Sequence, residues 1–139
     1  MRNLITLLFL VFCFFCSFAQ SEIYVRKPKS TDGTKLEWTL ILNDDGTFLY
    51  NFYRDIVGEL NPEENFYGKG TWKAEKNLIF FYTNKETDLD EKYTMDFTNS
   101  KARHIAKSPR DKSDKVVKMT LRFYESDIFH IKGLELFKE

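Results

Sequence analysis

A chain of 139 residues in which 21 Lys and Arg balance 21 Asp and Glu carries no formal net charge, which excludes a globally basic nucleic-acid footprint. Its 14 Phe and 7 Tyr favour strands and supply large buried areas. Both cysteines, Cys13 and Cys16, lie near the N-terminus, so a chain processed beyond them has no disulfide, cysteine nucleophile or thiolate metal site.

Arg2 gives a positive start, an almost unbroken apolar run extends to Phe18, and Ser17-Phe18-Ala19 has the small-x-small form that signal peptidase cleaves. The run, about 15 residues, is shorter than the roughly 20 that a transmembrane helix needs. Phe12 and Phe15 precede the cysteines where a small residue would precede a lipid-modified one. Residues 1–19 therefore read as a cleaved signal peptide, and the expected location is extracytoplasmic, periplasmic or secreted, with no stable membrane insertion after cleavage. Residues 20–139 suffice for one domain, expected as a monomer, that buries about two-thirds of its unfolded surface.

From residue 22 onward, strand signals alternate with Gly, Asn, Asp, Ser and Pro, at 22–27, 35–43, 47–54, 65–73, 78–83, 91–97, 101–107, 116–123 and 128–132. The most helix-tolerant stretch, 55–64, is broken by Gly58 and Pro62. Hairpin register sharpens the reading. A turn at Asn43-Asp44-Asp45-Gly46 sets Leu42 against Phe48, Leu40 against Tyr50 and Trp38 against Phe52, all on one side. The same geometry at Ala74-Glu75-Lys76-Asn77 sets Trp72 against Phe80 and Gly70 against Tyr82, where an aromatic ring can lie across the bare glycine backbone. A turn at Asn99-Ser100 pairs Phe97 with Ala102, Met95 with His104, Tyr93 with Ala106 and, outside, Asp96 with Arg103. A turn at Glu125-Ser126-Asp127 opposes Phe123 and Phe129, Leu121 and Ile131, and Met119 and Gly133; Leu134 and Leu136 then fall out of phase, which suggests a bulge at Gly133. These hairpins predict an all-β fold, an antiparallel meander of eight to nine strands closing into a small up-and-down barrel, with a two-layer sandwich as the alternative.

Catalytic and metal motifs are absent from this reading. His104 and His130 sit in no nucleophile or metal pattern, and neither the acidic tip at 86–91 nor Asn43-Asp44-Asp45-Gly46 has the spacing of a calcium loop. No cofactor and no metal is expected. A basic stretch, 101–115, contrasts with the acidic tip and suggests a dipolar molecule. The constellation that stands out is aromatic: Trp38, Tyr50, Phe52, Trp72, Phe80 and Tyr82 share one side of two hairpins. They form either a filled core or, with His104, the lining of a cup for an apolar or aromatic ligand.

Asp45-Gly46-Thr47-Phe48-x-Tyr50, Gly68-Lys69-Gly70-Thr71-Trp72-Lys73 and Leu78-Ile79-Phe80 together resemble the small exported lipocalin-like domains of bacteria, over about residues 36–83. The resemblance implies a calycin-type barrel that binds ligands or partners, and it names no ligand. In true lipocalins Gly-x-Trp opens the first barrel strand, whereas Gly70-Thr71-Trp72 lies in about the fourth strand here. The expected function is an exported, non-enzymatic barrel that binds a small apolar or aromatic ligand through Trp38, Tyr50, Phe52, Trp72, Tyr82 and His104. The alternative is an envelope interaction or inhibitor protein with a filled core that acts through its outer face and the loops at 55–64 and 107–115.

Overall fold

A computed structural model describes residues 20–139, and the expected signal segment lies outside them. Among the described residues nine strands form: β1 (Glu22–Arg26), β2 (Lys35–Leu42), β3 (Thr47–Asp55), β4 (Glu63–Glu75), β5 (Leu78–Tyr82), β6 (Tyr93–Met95), β7 (Lys101–Ile105), β8 (Thr120–Glu125) and β9 (Glu135–Lys138). Eight of them pair antiparallel in the order β3-β2-β1-β9-β8-β7-β5-β4, and β4 pairs again with β3 to close the ring. Closure gives every wall strand two neighbours and removes the free edges an open sheet would present. The architecture is the expected small barrel, with β6 added as a short strand parallel to β4.

The β2–β3 hairpin forms in the expected register, with Leu42 opposite Phe48, Leu40 opposite Tyr50 and Trp38 opposite Phe52. Its turn is held by Gly46 N donating to Asn43 O (3.0 Å) and by the Asp45 carboxylate, which accepts from Thr47 N (2.9 Å). Leu40, Leu42, Phe48 and Tyr50 are fully buried.

The β4–β5 hairpin differs from expectation by one residue. Lys76, at φ 57°, takes the left-handed position in a tighter turn, so Trp72 pairs with Phe81 and Thr71 with Tyr82. A one-residue slip exchanges the two faces of a strand. Phe81 therefore enters the core, while Tyr82, expected to point inward, is 54% exposed on the outer wall. Leu78-Ile79-Phe80-Phe81-Tyr82 is apolar on both faces, so alternation alone could not select the register.

The glycines of β4 answer to different rings from the one expected. Gly70 lies opposite Phe48 and Gly68 opposite Tyr50. A Cβ on Gly70 would collide with the Tyr82 carbonyl and press on the Phe48 ring at 3.0 Å; a Cβ on Gly68 would collide with the ring of Phe97. Bare backbone at these two positions lets large rings fill the barrel.

The hairpin expected at Asn99-Ser100 does not form. Asn99 does turn the chain, at φ 66°, and Ser100 N donates to Phe97 O (2.9 Å). However, β6 runs beside β4, with Tyr67 opposite Tyr93 and Gly68 opposite Met95, while β7 pairs with β5 and β8. Met95 does not face His104, Phe97 does not face Ala102, and Asp96 meets Lys85 (3.8 Å) instead of Arg103. The cause is burial of Phe97, which is 0% exposed and packs against Phe48, Tyr50, Phe81 and Phe123 with centroids 4.9–6.3 Å apart. A ring in that position contributes more than a local two-residue turn could. Thr83 anchors the excursion: its Oγ1 donates to Lys69 O (3.1 Å) and accepts from Phe97 N (2.9 Å).

The last expected hairpin is also replaced. Residues 126–134 are a turn-rich connection, and β8 pairs with β9 so that Leu121 opposes Leu136 and Arg122 opposes Glu135. Phe129 does not oppose Phe123 but is 98% exposed, whereas Ile131 reaches the core from within the connection. The bulge expected at Gly133 is present just ahead of β9: at φ 89° Gly133 N donates to Phe123 O (2.8 Å) while Phe123 N donates to Leu134 O (2.9 Å), so two residues oppose one and the phase changes there. Replacing Gly70 by Ala should destabilise the fold by about 1–3 kcal/mol through overpacking. The check is urea denaturation, and an unchanged midpoint would contradict the β3-β4-β5 register.

Candidate functional site

Strand direction sorts the barrel into two ends. The connections 27–34, 56–62, 83–100 and 126–134 gather at one, called here the loop end. The turns at 43–46 and 76–77, the connection 106–119 and both described termini lie at the other. The acidic tip 86–91 and the basic stretch beyond Ile105 thus leave opposite ends, as a dipolar molecule requires.

At the loop end, register stacks three aromatic residues across three strands. Trp38 opposes Phe52 on β2 and β3, and Phe52 opposes Phe66 on β3 and β4. The rings are close to parallel, with Trp38 and Phe52 4.7 Å apart at 16° and Phe52 and Phe66 5.9 Å apart at 20°. All three are half-buried against the core. The Arg54 guanidinium lies over Phe66 at 5.7 Å and also pairs with Glu64. His130, within the strand expected at 128–132, instead sits in the 126–134 connection with its ring 6.1 Å from Phe52. In connections at the same end Val57, Leu60 and Phe129 project into solvent, at 63%, 102% and 98% exposure. Leu60 and Val57 belong to the loop singled out in the sequence. Phe129 was hidden by the mistaken hairpin, and Phe66 was recoverable by extending the β3 register onto the alternating Phe66, Gly68, Gly70 and Trp72 of β4.

The other candidate residues do not join them. Tyr50 lies in the middle of the barrel with its ring 4.9 Å from Phe97; its hydroxyl is buried without a hydrogen-bond partner, and burial raises its pKa well above the ordinary value. Trp72 lies near the opposite end, where Nε1 donates to Asn43 O (3.0 Å). Tyr82 is outside the wall.

His104 also lies near that opposite end, edge-on to Tyr24 at 5.8 Å. Beside it Glu22 accepts from Lys138 Nζ (2.8 Å) and Tyr24 Oη (2.8 Å). The Lys138 hydrogen bond holds the Glu22 carboxyl below its ordinary pKa, against the opposing effect of burial, and burial raises the Tyr24 phenol, helped by Glu22. This is a mutually satisfied network in which each charged group already has its partner.

Five grooves of about 330–530 Å³ lie on the rims and outer wall, and none of these is lined by Trp38, Tyr50 or Phe52. Among the described residues no group of three or more His, Cys, Asp or Glu is placed to hold a metal ion, and no helix is long and apolar enough to cross a membrane. No protein family, curated protein or solved structure matches the chain.

Burial lowers the His104 pKa below its ordinary 6.5, with Glu22 partly opposing. The unfolded chain then takes up this proton at higher pH than the fold does, so stability falls as pH drops below 6.5 towards the folded value. Glu22 acts lower: its stabilisation is present above 4.5 and is lost as pH falls through its depressed folded pKa. Urea denaturation as a function of pH should show the upper step disappear in His104→Gln and remain in Glu22→Gln; an upper step unchanged in His104→Gln would contradict this assignment.

Proposed function

We propose that the protein is an exported, non-enzymatic interaction module whose packed barrel serves as a scaffold and whose loop end binds a protein partner. The observation that carries this reading is the coincidence, at one end, of the half-buried Trp38-Phe52-Phe66 stack with the solvent-projecting Val57, Leu60 and Phe129. Large apolar side chains grouped on a surface mark interaction sites, and aromatic residues supply much of the binding energy where they become covered. The core offers a partner no entry, since Tyr24, Phe48, Tyr50, Phe97 and Phe123 are all fully buried within it. Export rests on the N-terminal apolar run and Ser17-Phe18-Ala19. The non-enzymatic reading is supported by the state of the groups around His104, where Glu22, Tyr24 and Lys138 hydrogen-bond one another.

Leu60→Asp and Phe129→Asp replace side chains that touch little of their own fold, so stability should change by no more than about 0.5 kcal/mol. A photo-crosslinker placed at residue 57, used in the native host, should capture a defined partner, and both substitutions should weaken that capture about tenfold or more. Equal capture by a crosslinker at residue 76, at the opposite end, would contradict the assignment.

A second reading, a small apolar ligand held within the barrel, is favoured by the Tyr50 hydroxyl, a buried polar group with no partner in the protein. If no ligand or water meets that hydroxyl, Tyr50→Phe leaves stability unchanged or raises it. A loss of about 1 kcal/mol or more, the cost of an unmade hydrogen bond, supports an internal occupant, which native mass spectrometry of protein from its own host would then identify.

A further inference from the structure

The outer wall carries a second feature, away from the aromatic stack. Antiparallel pairing sets Arg103 of β7 directly opposite Arg122 of β8, and both side chains point outward. Like charges opposed on one face of a sheet lower its stability, so this pair opposes the fold that contains it. Neighbouring positions are complemented: Lys101 meets Glu125 (3.1 Å), and Arg122 has Glu135 on its far side (3.4 Å). Among the described residues no carboxylate lies within 4.0 Å of the cationic nitrogens of Arg103 or Lys132.

Arg103, Arg122 and Lys132 line one groove of about 350 Å³ between β7, β8 and the 126–134 connection. Three cations and the single carboxylate of Glu135 leave two positive charges uncompensated. The Arg103 guanidinium lies over the Tyr124 ring at 5.4 Å, which steadies the group while its edge stays free to donate. Ile105 adds an apolar wall.

We propose that this groove binds a phosphate monoester. A doubly ionised phosphate matches the charge excess, whereas a carboxylate or phosphodiester supplies one charge. Two guanidinium forks fit its oxygens in paired hydrogen bonds, and the apolar wall takes the carbon portion of the ligand.

The test uses the purified protein at constant ionic strength, with inorganic phosphate followed by NMR of the arginine side chains. Vesicles of phosphatidylcholine with and without phosphatidic acid provide a second arm, followed by co-sedimentation. Saturable phosphate binding is expected, weakened about tenfold or more in Arg103→Gln and Arg122→Gln and unchanged in Lys73→Gln, which alters an outward lysine of β4. Saturation by both free phosphate and phosphatidic acid identifies the phosphate group as what is recognised. Saturation by the vesicles alone, with the same dependence on the arginines, assigns the site to a lipid headgroup. Absence of saturation with either probe, equal weakening in Lys73→Gln, or equal binding to vesicles of phosphatidylcholine alone would overturn the proposal.

Discussion

Phe97 packed against the bare backbone of Gly68 is the contact on which the rest of this barrel depends. Phe48, Tyr50, Phe81 and Phe123 surround that ring, and the wall can close around so many large side chains because β4 contributes no side chain at residues 68 and 70. Burial of each such ring is worth a few kcal/mol, more than most single turns or surface ion pairs contribute. The chain accordingly gives up a local hairpin after β6 so that Phe97 can reach the interior. The detour of residues 83–100 and the direct pairing of β5 with β7 follow from that choice.

In the proposed reading, a barrel filled in this way carries its recognition elements on the outside. Its wall holds the connections in fixed relation, and two of them, 56–62 and 126–134, bring Leu60 and Phe129 to the end where Trp38, Phe52 and Phe66 stack. The same wall holds Arg103 and Arg122 side by side where neither would settle by preference. Both features set exposed groups in positions that the packing of their own fold does not require, and packing constrains neither.

Legibility followed the contrast between the two faces of each strand. The β2–β3 register could be read because Trp38, Leu40 and Leu42 alternate with polar or mixed neighbours, and the turn at Asp45-Gly46 admits one pairing. In β5, where Leu78 to Tyr82 are apolar on both faces, the pattern allowed two registers, and the wrong one turned Tyr82 inward. The ligand-cup grouping suffered for the same reason: it joined Trp38 and Phe52 to Trp72 and His104, which the barrel places near opposite ends. Phe129 was misplaced because Glu125-Ser126-Asp127 reads as a hairpin turn, while the strand that pairs with β8 begins beyond Gly133.

The amino-acid sequence by itself pointed to an all-β protein whose strands close into a small barrel, with a sandwich as the alternative, and to a glycine in the fourth strand, Gly70, that makes room for a large ring. Those properties follow from composition, alternation and turn chemistry, which act over a few residues. Only the tertiary structure decided which rings meet the glycines, which strand follows β5 in the wall, and which exposed residues share an end. These depend on competition between contacts distant in the chain, above all the burial of Phe97, and no local pattern records how that competition ends.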